Sequence, residues 1–424
     1  MGRTTDRRRA LAPATPEAAP VHAGTTALVA RQPIYGAAFT VAAFELLYEQ
    51  CAPGDGRDAD TREATVRVIA DAALEIGLDR LAGGLPVHIN YPRELLLEEP
   101  PLSVHPERVV IEVNEDIPCD AALIAGIRAL RARGHRIALE DFSTELNSPA
   151  LLEVVDIVKI DVSQHSIEDL ARAAPDLIQR GLRLIAQEVE TIEQFERCVQ
   201  LGFEGFQGDF LHRPQTFRAQ RLPAARLATL RLIAALQNED YSIEEVERLV
   251  SQDLTISYRV LRCINSSYYS LPRRIESVRQ AIVVLGLDNL RQLASLVALQ
   301  GIDDRPSVLF LTAMTRARMC EQLARLAGMK DTGAYFITGL FSLLDVLTGI
   351  PTPQLLDQLP LAPAVERALV AQEGPLGAAL RCARAYERAS WGRISFSALP
   401  ASLVRAAYVD AVFWAEQTQA LTAR

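Results

Sequence analysis

Short apolar segments rich in β-branched and aromatic residues recur through the first half of the chain and predict β-strands. Eight such segments occur, at Ala27 to Tyr35, Thr40 to Tyr48, Leu85 to Tyr91, Arg108 to Glu115, Arg136 to Phe142, Ile157 to Ser163, Arg183 to Glu190 and Phe203 to Leu211. From the second strand onward, segments of helical periodicity lie between them, including Thr61 to Ala82, Asp120 to Arg133, Ser166 to Arg180 and Thr191 to Leu201. This alternation indicates β/α units around a parallel sheet, and eight strands predict a closed barrel.

The connection between the first two strands departs from this rhythm. Only Gly36 to Phe39 joins them, whereas a parallel crossover needs about a dozen residues or more. We therefore predict an antiparallel hairpin, and hence a modified (β/α)8 barrel whose first strand is reversed.

After Pro214 the pattern changes to nearly continuous helical periodicity. Ser242-Ile-Glu-Glu245 is typical of a capping box that opens a helix. Further helices are predicted at Ile256 to Ile264, Ser277 to Leu285, Asp288 to Leu299, Ser307 to Ala327 and Ala334 to Leu347. The fold class is thus α/β followed by all-α, with a disordered leader at 1–24, a barrel domain at 25–215 and a helical domain at 216–424.

Composition supports two folded units in one protein. The chain has 424 residues, and one domain usually takes ~100 to 200. Its 44 basic and 53 acidic residues leave a net charge of −9, which argues against general binding to nucleic acid or anionic membranes. The longest apolar stretch, Phe336 to Ile350, contains Asp345 and is too short to span a bilayer. With no apolar core of a signal peptide in residues 1–20, we expect a cytoplasmic protein.

The counts of three residue types limit the chemistry. The 6 cysteines are scattered without a C-x-x-C pair, which favours neither a zinc site nor a disulfide framework. The last of the 6 histidines is His212, so histidine-based metal or acid/base chemistry cannot originate in the second half. Lysine occurs only at Lys159 and Lys330, and Lys159 lies in a predicted strand.

Polar side chains follow the apolar runs near the carboxyl ends of the predicted strands. They are Glu45, Asn90, Glu112, Glu140, Asp141, Lys159, Asp161, Glu190 and Gln207. In a β/α barrel these strand ends converge on one rim, where active sites lie. Oxygen ligands of this kind suit Mg²⁺, Mn²⁺ or Ca²⁺ rather than zinc.

The strand motifs resemble, in order, those of EAL domains. They are Arg31-Gln-Pro-Ile34, Phe44-Glu-Leu-Leu47, Val87-His-Ile-Asn90, Ile111-Glu-Val-Asn-Glu115, Ala138-Leu-Glu-Asp-Phe142, Val158-Lys-Ile-Asp161, Ala186-Gln-Glu-Val-Glu190 and Phe206-Gln-Gly208. The resemblance implies a barrel with a reversed first strand, and active members are metal-dependent phosphodiesterases that open cyclic di-GMP.

The second half resembles the HDOD domain, a helical relative of HD phosphohydrolases that lacks their metal ligands. The matching segments are Asp253 to Arg262, Ile264 to Tyr268, Ile275 to Ile282, Leu285-Gly286 and Gly339 to Asp345. Where a catalytic relative would carry His-Asp, this chain has Ser342-Leu343. The whole chain therefore resembles an EAL–HDOD signalling protein.

The EAL resemblance assigns roles to individual residues. It implies metal-binding positions at Glu45, Asn90, Glu112, Glu140 and Asp141. Lys159 matches the lysine that supports the attacking water and the phosphate, and Glu190 matches the second Glu of the A-E-G-V-E motif, so both are vestigial catalytic residues if activity is lost. Gln32 and Gln207 match ligand-facing positions.

Several substitutions fall in the same site. Glu49 replaces the phosphate-contacting arginine of E-A-L-x-R. Gln187 replaces the first Glu of A-E-G-V-E, and Glu188 replaces the neighbouring glycine. In the D-D-F-G-x-G motif, Glu140 replaces the first Asp, and Ser143 and Glu145 replace the two glycines.

These substitutions favour a non-catalytic signalling protein with a degenerate EAL barrel and a metal-free HDOD domain. The HDOD domain is expected to act on a protein partner or by self-association, and cyclic di-GMP binding is expected to be weak or absent. Any cation at the barrel rim would be Mg²⁺ or Mn²⁺. Two alternatives stay open: a weak metal-dependent cyclic di-GMP phosphodiesterase, and a sensor that binds cyclic di-GMP without cleaving it.

Overall fold

The structure is a computed structural model. It describes residues 26–51, 78–97, 106–143, 149–211, 224–238, 240–266, 275–300, 307–348 and 350–422. The predicted leader lies outside these residues, as do Glu145 and most of the predicted helix from Thr61 to Ala82. The predicted division near residue 215 falls between described segments, so the domain bounds stay predictions.

The described part of the first half forms a closed barrel of eight strands in sequence order. The strands are β1 (Thr26–Tyr35), β2 (Val41–Cys51), β3 (Val87–Asn90), β4 (Val109–Asn114), β5 (Arg136–Glu140), β6 (Ile157–Asp161), β7 (Arg183–Gln187) and β8 (Gly205–Phe206). Strand β1 is antiparallel to both β2 and β8, and the other neighbouring pairs are parallel. The predicted barrel with a reversed first strand is confirmed.

Helices surround the barrel between its parallel strands. Their bounds are α1 (Leu78–Ala82), α2 (Arg93–Leu97), α3 (Ala121–Ala132), α4 (Pro149–Leu152), α5 (Ile167–Gln179) and α6 (Ile192–Gln200). Asp120, Ser166 and Thr191 cap α3, α5 and α6 by accepting a backbone N–H within the first turn. These caps fix where each helix begins and thus the length of the rim loop before it.

The described residues of the second half are helical, as predicted. Their bounds are α7 (Ala224–Leu236), α8 (Ile243–Ser251), α9 (Leu254–Ile264), α10 (Val278–Leu285), α11 (Leu287–Gln300), α12 (Ser307–Leu326), α13 (Thr332–Phe341), α14 (Leu344–Thr348), α15 (Thr352–Leu356), α16 (Pro363–Ala371), α17 (Gly374–Glu387) and α18 (Ala401–Thr422). The capping box predicted at Ser242 is present at the start of α8. Every helix in the described ranges is too short or too polar to cross a bilayer.

One predicted helix is divided in the structure. Ala334 to Leu347 was predicted as a single helix, but α13 ends at Phe341 and α14 begins at Leu344. The Ser342 N–H bonds to the Gly339 carbonyl, a tight turn that ends α13, while the Ser342 hydroxyl accepts a hydrogen bond from Arg316. Helix α13 therefore ends at this turn, and Ser342 connects it to α14.

The outer face of β1 is covered by the last helices of the chain. The hairpin between β1 and β2 has no crossover helix, so this face must be buried by another element. The Arg31 N–H donates to the Tyr408 hydroxyl of α18 at 3.3 Å, and the Tyr386 hydroxyl of α17 donates to the Val29 carbonyl at 3.2 Å. Arg31 also forms an ion pair with Glu416 of α18. Helices α17 and α18 thus pack against β1 of the closed barrel.

Candidate functional site

Four strands direct charged side chains to one point inside the barrel. Glu45 on β2, Glu112 on β4, Glu140 on β5 and Lys159 on β6 are all buried. The Lys159 Nζ donates to Glu45 Oε2 at 2.7 Å, Glu112 Oε1 at 2.6 Å and Glu140 Oε1 at 3.0 Å. The structure therefore brings together three predicted metal positions and the predicted catalytic lysine, and we call these four residues the carboxylate cluster.

Amide side chains from three further strands and the segment after β8 surround the carboxylate cluster. Asn90 Nδ2, at the end of β3, donates to Glu140 Oε2 at 2.7 Å. Gln207 Nε2 donates to Glu45 Oε2 at 2.7 Å and to Gln32 Oε1 at 2.9 Å. The predicted ligand-facing residues Gln32 and Gln207 thus lie beside the metal positions.

Asp141 and Glu190 lie at the exposed edge of this site. Asp141 has a positive φ of 55° and accepts a hydrogen bond from Asn114 Nδ2 at 2.7 Å. Burial and the charge of Glu140 raise its pKa. The Glu190 N–H donates to Gln194 Oε1 at 2.8 Å, where α6 begins. Neither residue belongs to the group of three carboxylates whose oxygens lie within 4.8 Å of one another.

The substituted positions have defined places in the site. Gln187 Nε2 donates to Glu140 Oε1 at 3.0 Å, so an amide contacts the carboxylate cluster at this position. Glu188 adopts a φ of 53°, a conformation that glycine takes without strain. The Ser143 N–H donates to Glu115 Oε2 at 2.6 Å. Glu49 lies on β2 opposite Leu28, but its side chain is outside what the structure describes.

His88 is a member of the site that the sequence reasoning missed. Its Nδ1 lies 2.9 Å from Glu112 Oε1, and only 3% of the residue is exposed. Burial, assisted by the charge of Lys159, lowers the pKa of His88 to about 3. The imidazole is therefore neutral near pH 7, and its Nδ1 is within hydrogen-bond distance of Glu112. The sequence could have indicated His88, because it precedes Asn90 by two residues and residues two apart face the same side of a strand.

Burial dominates the electrostatics of the carboxylate cluster. It raises the pKa of Glu45 to about 7, with repulsion from Glu112 adding to the effect and Lys159 opposing it. Burial also raises the pKa of Glu112 to about 7 against the attraction of Lys159. Burial alone would lower the pKa of Lys159, but Glu112, Glu45 and Glu140 outweigh it and raise that pKa. The ammonium of Lys159 stays charged, while the pKa values of Glu45 and Glu112 lie near neutral pH.

The carboxylate cluster fits one divalent cation. Glu45, Glu112 and Glu140 can each direct an oxygen to a shared point, and Asn90 lies beside them. Glu112 Oε2 is buried and has no hydrogen-bond partner within the described residues. A buried oxygen without a partner is unfavourable unless something binds it, and a hard cation is the natural occupant.

Comparison with known proteins identifies both halves of the chain. The EAL domain model matches residues 94–214 and the HDOD domain model matches residues 222–348. The protein named cyclic di-GMP phosphodiesterase CdgJ of Vibrio cholerae is 32% identical over 410 residues, which cover 93% of this chain and 94% of that protein. YuxH of Bacillus subtilis, described as uncharacterized, is 30% identical over 376 residues, or 87% of this chain and 92% of that protein. These matches confirm the two resemblances that the motifs indicated.

Solved structures resemble a smaller part of the chain. The manganese and cyclic di-GMP complex of Klebsiella pneumoniae BlrP1 is 23% identical with a TM-score of 0.37, and the match covers 46% of this chain and 56% of that one. This partial match adds nothing to the assignment made from the full-length relatives.

Proposed function

The chain belongs to the family of proteins that join an EAL domain to an HDOD domain, and on that premise we propose that it is a non-catalytic signalling protein of the cytoplasm. In this proposal the EAL barrel does not turn over cyclic di-GMP, and the HDOD half acts through contacts with a protein partner or a second copy. The argument rests on what the site residues can and cannot do.

The observation that carries the proposal is the contact between Gln187 and Glu140. Two divalent cations at such a site would activate water for in-line attack and neutralise the phosphate. The Gln187 amide donates to Glu140 Oε1 at 3.0 Å and supplies no negative charge. This chain therefore retains donors for one cation and is short of a carboxylate for a second.

Lys159 further reduces the need for a cation. Its ammonium already contacts all three carboxylates at 2.6 to 3.0 Å. Charge-assisted hydrogen bonds of this kind are among the stronger polar contacts in proteins. Lys159 offsets part of the negative charge of the three carboxylates, and metal binding must compete with its hydrogen bonds.

Glu49 opposes binding of an anionic ligand. It occupies the position of the phosphate-contacting arginine in the family motif. At ~6 Å and an effective dielectric constant of ~20, each unit of charge changes the interaction by about 3 kcal/mol before screening. The substitution changes the charge by two units, so weak binding of cyclic di-GMP is expected.

The helical half offers no replacement chemistry. Ser342 stands at the His position of the hydrolytic motif, and the sequence has no histidine after His212. Its hydroxyl accepts a hydrogen bond from Arg316 at 3.3 Å, which makes it a structural residue here. A role in protein contacts is the function that remains for this half.

The direct test is linearisation of cyclic di-GMP by the purified full chain in Mg²⁺ and in Mn²⁺. We expect no turnover above the rate without protein, and weak binding when labelled cyclic di-GMP is titrated. The double substitution Glu49→Arg with Gln187→Glu should increase affinity for the ligand, because it restores a cation near phosphate and a carboxylate near the metal. A submicromolar dissociation constant for the unmodified chain would contradict the proposal.

A second candidate is a weak cyclic di-GMP phosphodiesterase. The observation that favours it is the similarity to the Vibrio cholerae protein along nearly its whole length, together with convergence of the carboxylate cluster. Metal-dependent turnover that is lost in Glu45→Gln would establish this candidate. Binding of cyclic di-GMP without turnover would instead establish a sensor.

A further inference from the structure

The interior of the barrel changes from polar to apolar toward the amino ends of its parallel strands. Six buried apolar residues form a separate cluster there, which we call the apolar floor: Ile34, Ala43, Val110, Ala138, Ile157 and Ile185. Four of these residues each precede a member of the carboxylate cluster by two positions, and residues two apart face the same side of a strand. The carboxylate cluster therefore lies directly above an apolar surface.

His88 is a buried polar side chain beside the apolar floor. It lines a cavity of about 70 Å³ together with every floor residue except Ala138. Only 3% of His88 is exposed, whereas the other polar residues that line this cavity are partly or fully exposed, namely Arg136, Arg183 and Glu204. An imidazole in such surroundings is unfavourable unless it is hydrogen-bonded. The partner of His88 therefore indicates its role.

That partner is a carboxylate oxygen that Lys159 also contacts. Glu112 Oε1 lies 2.9 Å from His88 Nδ1 and 2.6 Å from Lys159 Nζ. The two nitrogens belong to different strands, β3 and β6, so two elements of the barrel hold the same oxygen. Glu112 Oε2 is buried and has no hydrogen-bond partner in the described part of the chain. One oxygen of Glu112 is thus fixed, and the other is left for a ligand.

We propose that His88 is a positioning residue for the cation site, which donates from Nδ1 to Glu112 Oε1 and so directs Oε2 toward the cation. This inference rests on the single-cation site proposed above for the carboxylate cluster. An ionised carboxylate can only accept hydrogen bonds, so the imidazole must carry its proton on Nδ1 when a cation is bound. Hydrogen-bond partners of metal ligands typically change metal affinity by about 10-fold to 100-fold.

Lys159 cannot fulfil this role by itself. Its ammonium is shared with Glu45 and Glu140, to which it donates at 2.7 and 3.0 Å. A bound cation repels the ammonium, because both carry positive charge. The imidazole of His88 is neutral and is not repelled in this way. His88 can therefore keep Glu112 in place when a cation binds.

The test is titration of the full chain with Mn²⁺, followed by electron paramagnetic resonance, in the absence of cyclic di-GMP. His88→Leu should weaken Mn²⁺ binding by about tenfold or more. His88→Asn should bind within about threefold of the unmodified chain, because the asparagine Nδ2 takes nearly the place of the histidine Nδ1 and can donate to Oε1. Ile185→Leu, an isosteric change in the apolar floor, is the matched control and should leave the affinity unchanged.

Thermal unfolding of the same variants distinguishes positioning from packing. His88→Leu leaves Glu112 Oε1 with its hydrogen bond from Lys159 and places an apolar side chain beside the apolar floor. Its unfolding midpoint in metal-free buffer should therefore equal or exceed that of the unmodified chain. A residue that mattered only for packing would give the reverse, a lower midpoint with unchanged Mn²⁺ affinity, and that result would overturn the proposal.

Three further results would contradict the role of His88. Equal Mn²⁺ affinity of His88→Leu and the unmodified chain would overturn this inference alone and leave the cation site in place. Equal weakening in His88→Leu and His88→Asn would show that the hydrogen bond to Glu112 does not support the cation. No binding of Mn²⁺ to the unmodified chain would overturn the cation site and this inference together, without affecting the proposed lack of turnover.

Discussion

Each half of the protein contains a buried cationic side chain, and the two differ in how their charge is balanced. Lys159 in the barrel contacts three carboxylates, whereas Arg316 in the helical half has one carboxylate partner, Glu387, and one hydroxyl. The barrel thus keeps a surplus of acidic groups that a cation can use. The Arg316 site is balanced one to one, so the two sites should respond differently to the loss of their cations.

The largest effect is expected for Lys159→Met. This change leaves three buried carboxylates without their counter-charge and should lower the free energy of unfolding by about 4 kcal/mol at pH 8. Urea unfolding in metal-free buffer measures this loss of stability. The control is Lys330→Met, at an exposed lysine, which should lower the free energy of unfolding by less than about 0.5 kcal/mol. Millimolar Mn²⁺ should recover part of the loss. A loss below about 1 kcal/mol would show that the carboxyls are protonated without the lysine.

Arg316→Met should have a smaller effect. Glu387 is left without its partner, but 18% of its side chain is exposed and can be rehydrated, so we expect a loss of about 2 kcal/mol. The double variant Arg316→Met with Glu387→Leu should recover most of it in urea unfolding, because neither charge then remains buried. Mn²⁺ should recover nothing here. Recovery by Mn²⁺ would show that this half also has a metal site, and the two halves would then not differ in their response to a cation.

The pH dependence of stability distinguishes the barrel further. The folded-state pKa of Glu45 and Glu112 is about 7, above the ordinary value, so their contribution to stability is complete below the unfolded value and is lost as the pH rises through 7. The pKa of His88 is lowered to about 3, so His88 makes the unfolding free energy rise with pH. This effect is confined to pH values below the unfolded-state pKa of ~6.5. Between pH 6.5 and 8 the unfolding free energy should therefore fall by on the order of 1 kcal/mol in metal-free buffer. Glu112→Gln should show a smaller fall, and an unchanged slope would contradict the assignment.

The smallest effect on stability is expected for Arg388→Gln. Its ion pair with Asp209 is half exposed, and pairs of this kind contribute about 0.5 kcal/mol or less. Urea unfolding at low and high salt measures it, and the difference from the unmodified chain should vanish in high salt. A loss above about 2 kcal/mol would mean that this pair holds the two halves together.

Much of the barrel could be predicted because its signals are local. The short connection from Gly36 to Phe39 was enough to predict that β1 runs antiparallel to β2. The polar residues at the strand ends were enough to predict that Glu45, Glu112, Glu140 and Lys159 lie in one site. The break at Ser342 was not predicted, because the apolar pattern continues through it from α13 into α14. The same holds for the contact between Arg31 and Tyr408, which are 377 residues apart in sequence. Contacts at that distance leave no periodic pattern in either segment.

The packing of α17 and α18 on β1 also determines when the outer face of this strand becomes buried during synthesis. Helix α18 spans Ala401–Thr422, so the helix that packs on β1 leaves the ribosome long after all eight strands of the barrel. Until then the outer face of β1, including Val29, has no apolar partner from α17 or α18. Contacts between such distant segments form slowly, and exposed strand surfaces promote aggregation in the meantime. A nascent chain that stalls before α18 should therefore depend on chaperones more than a complete one.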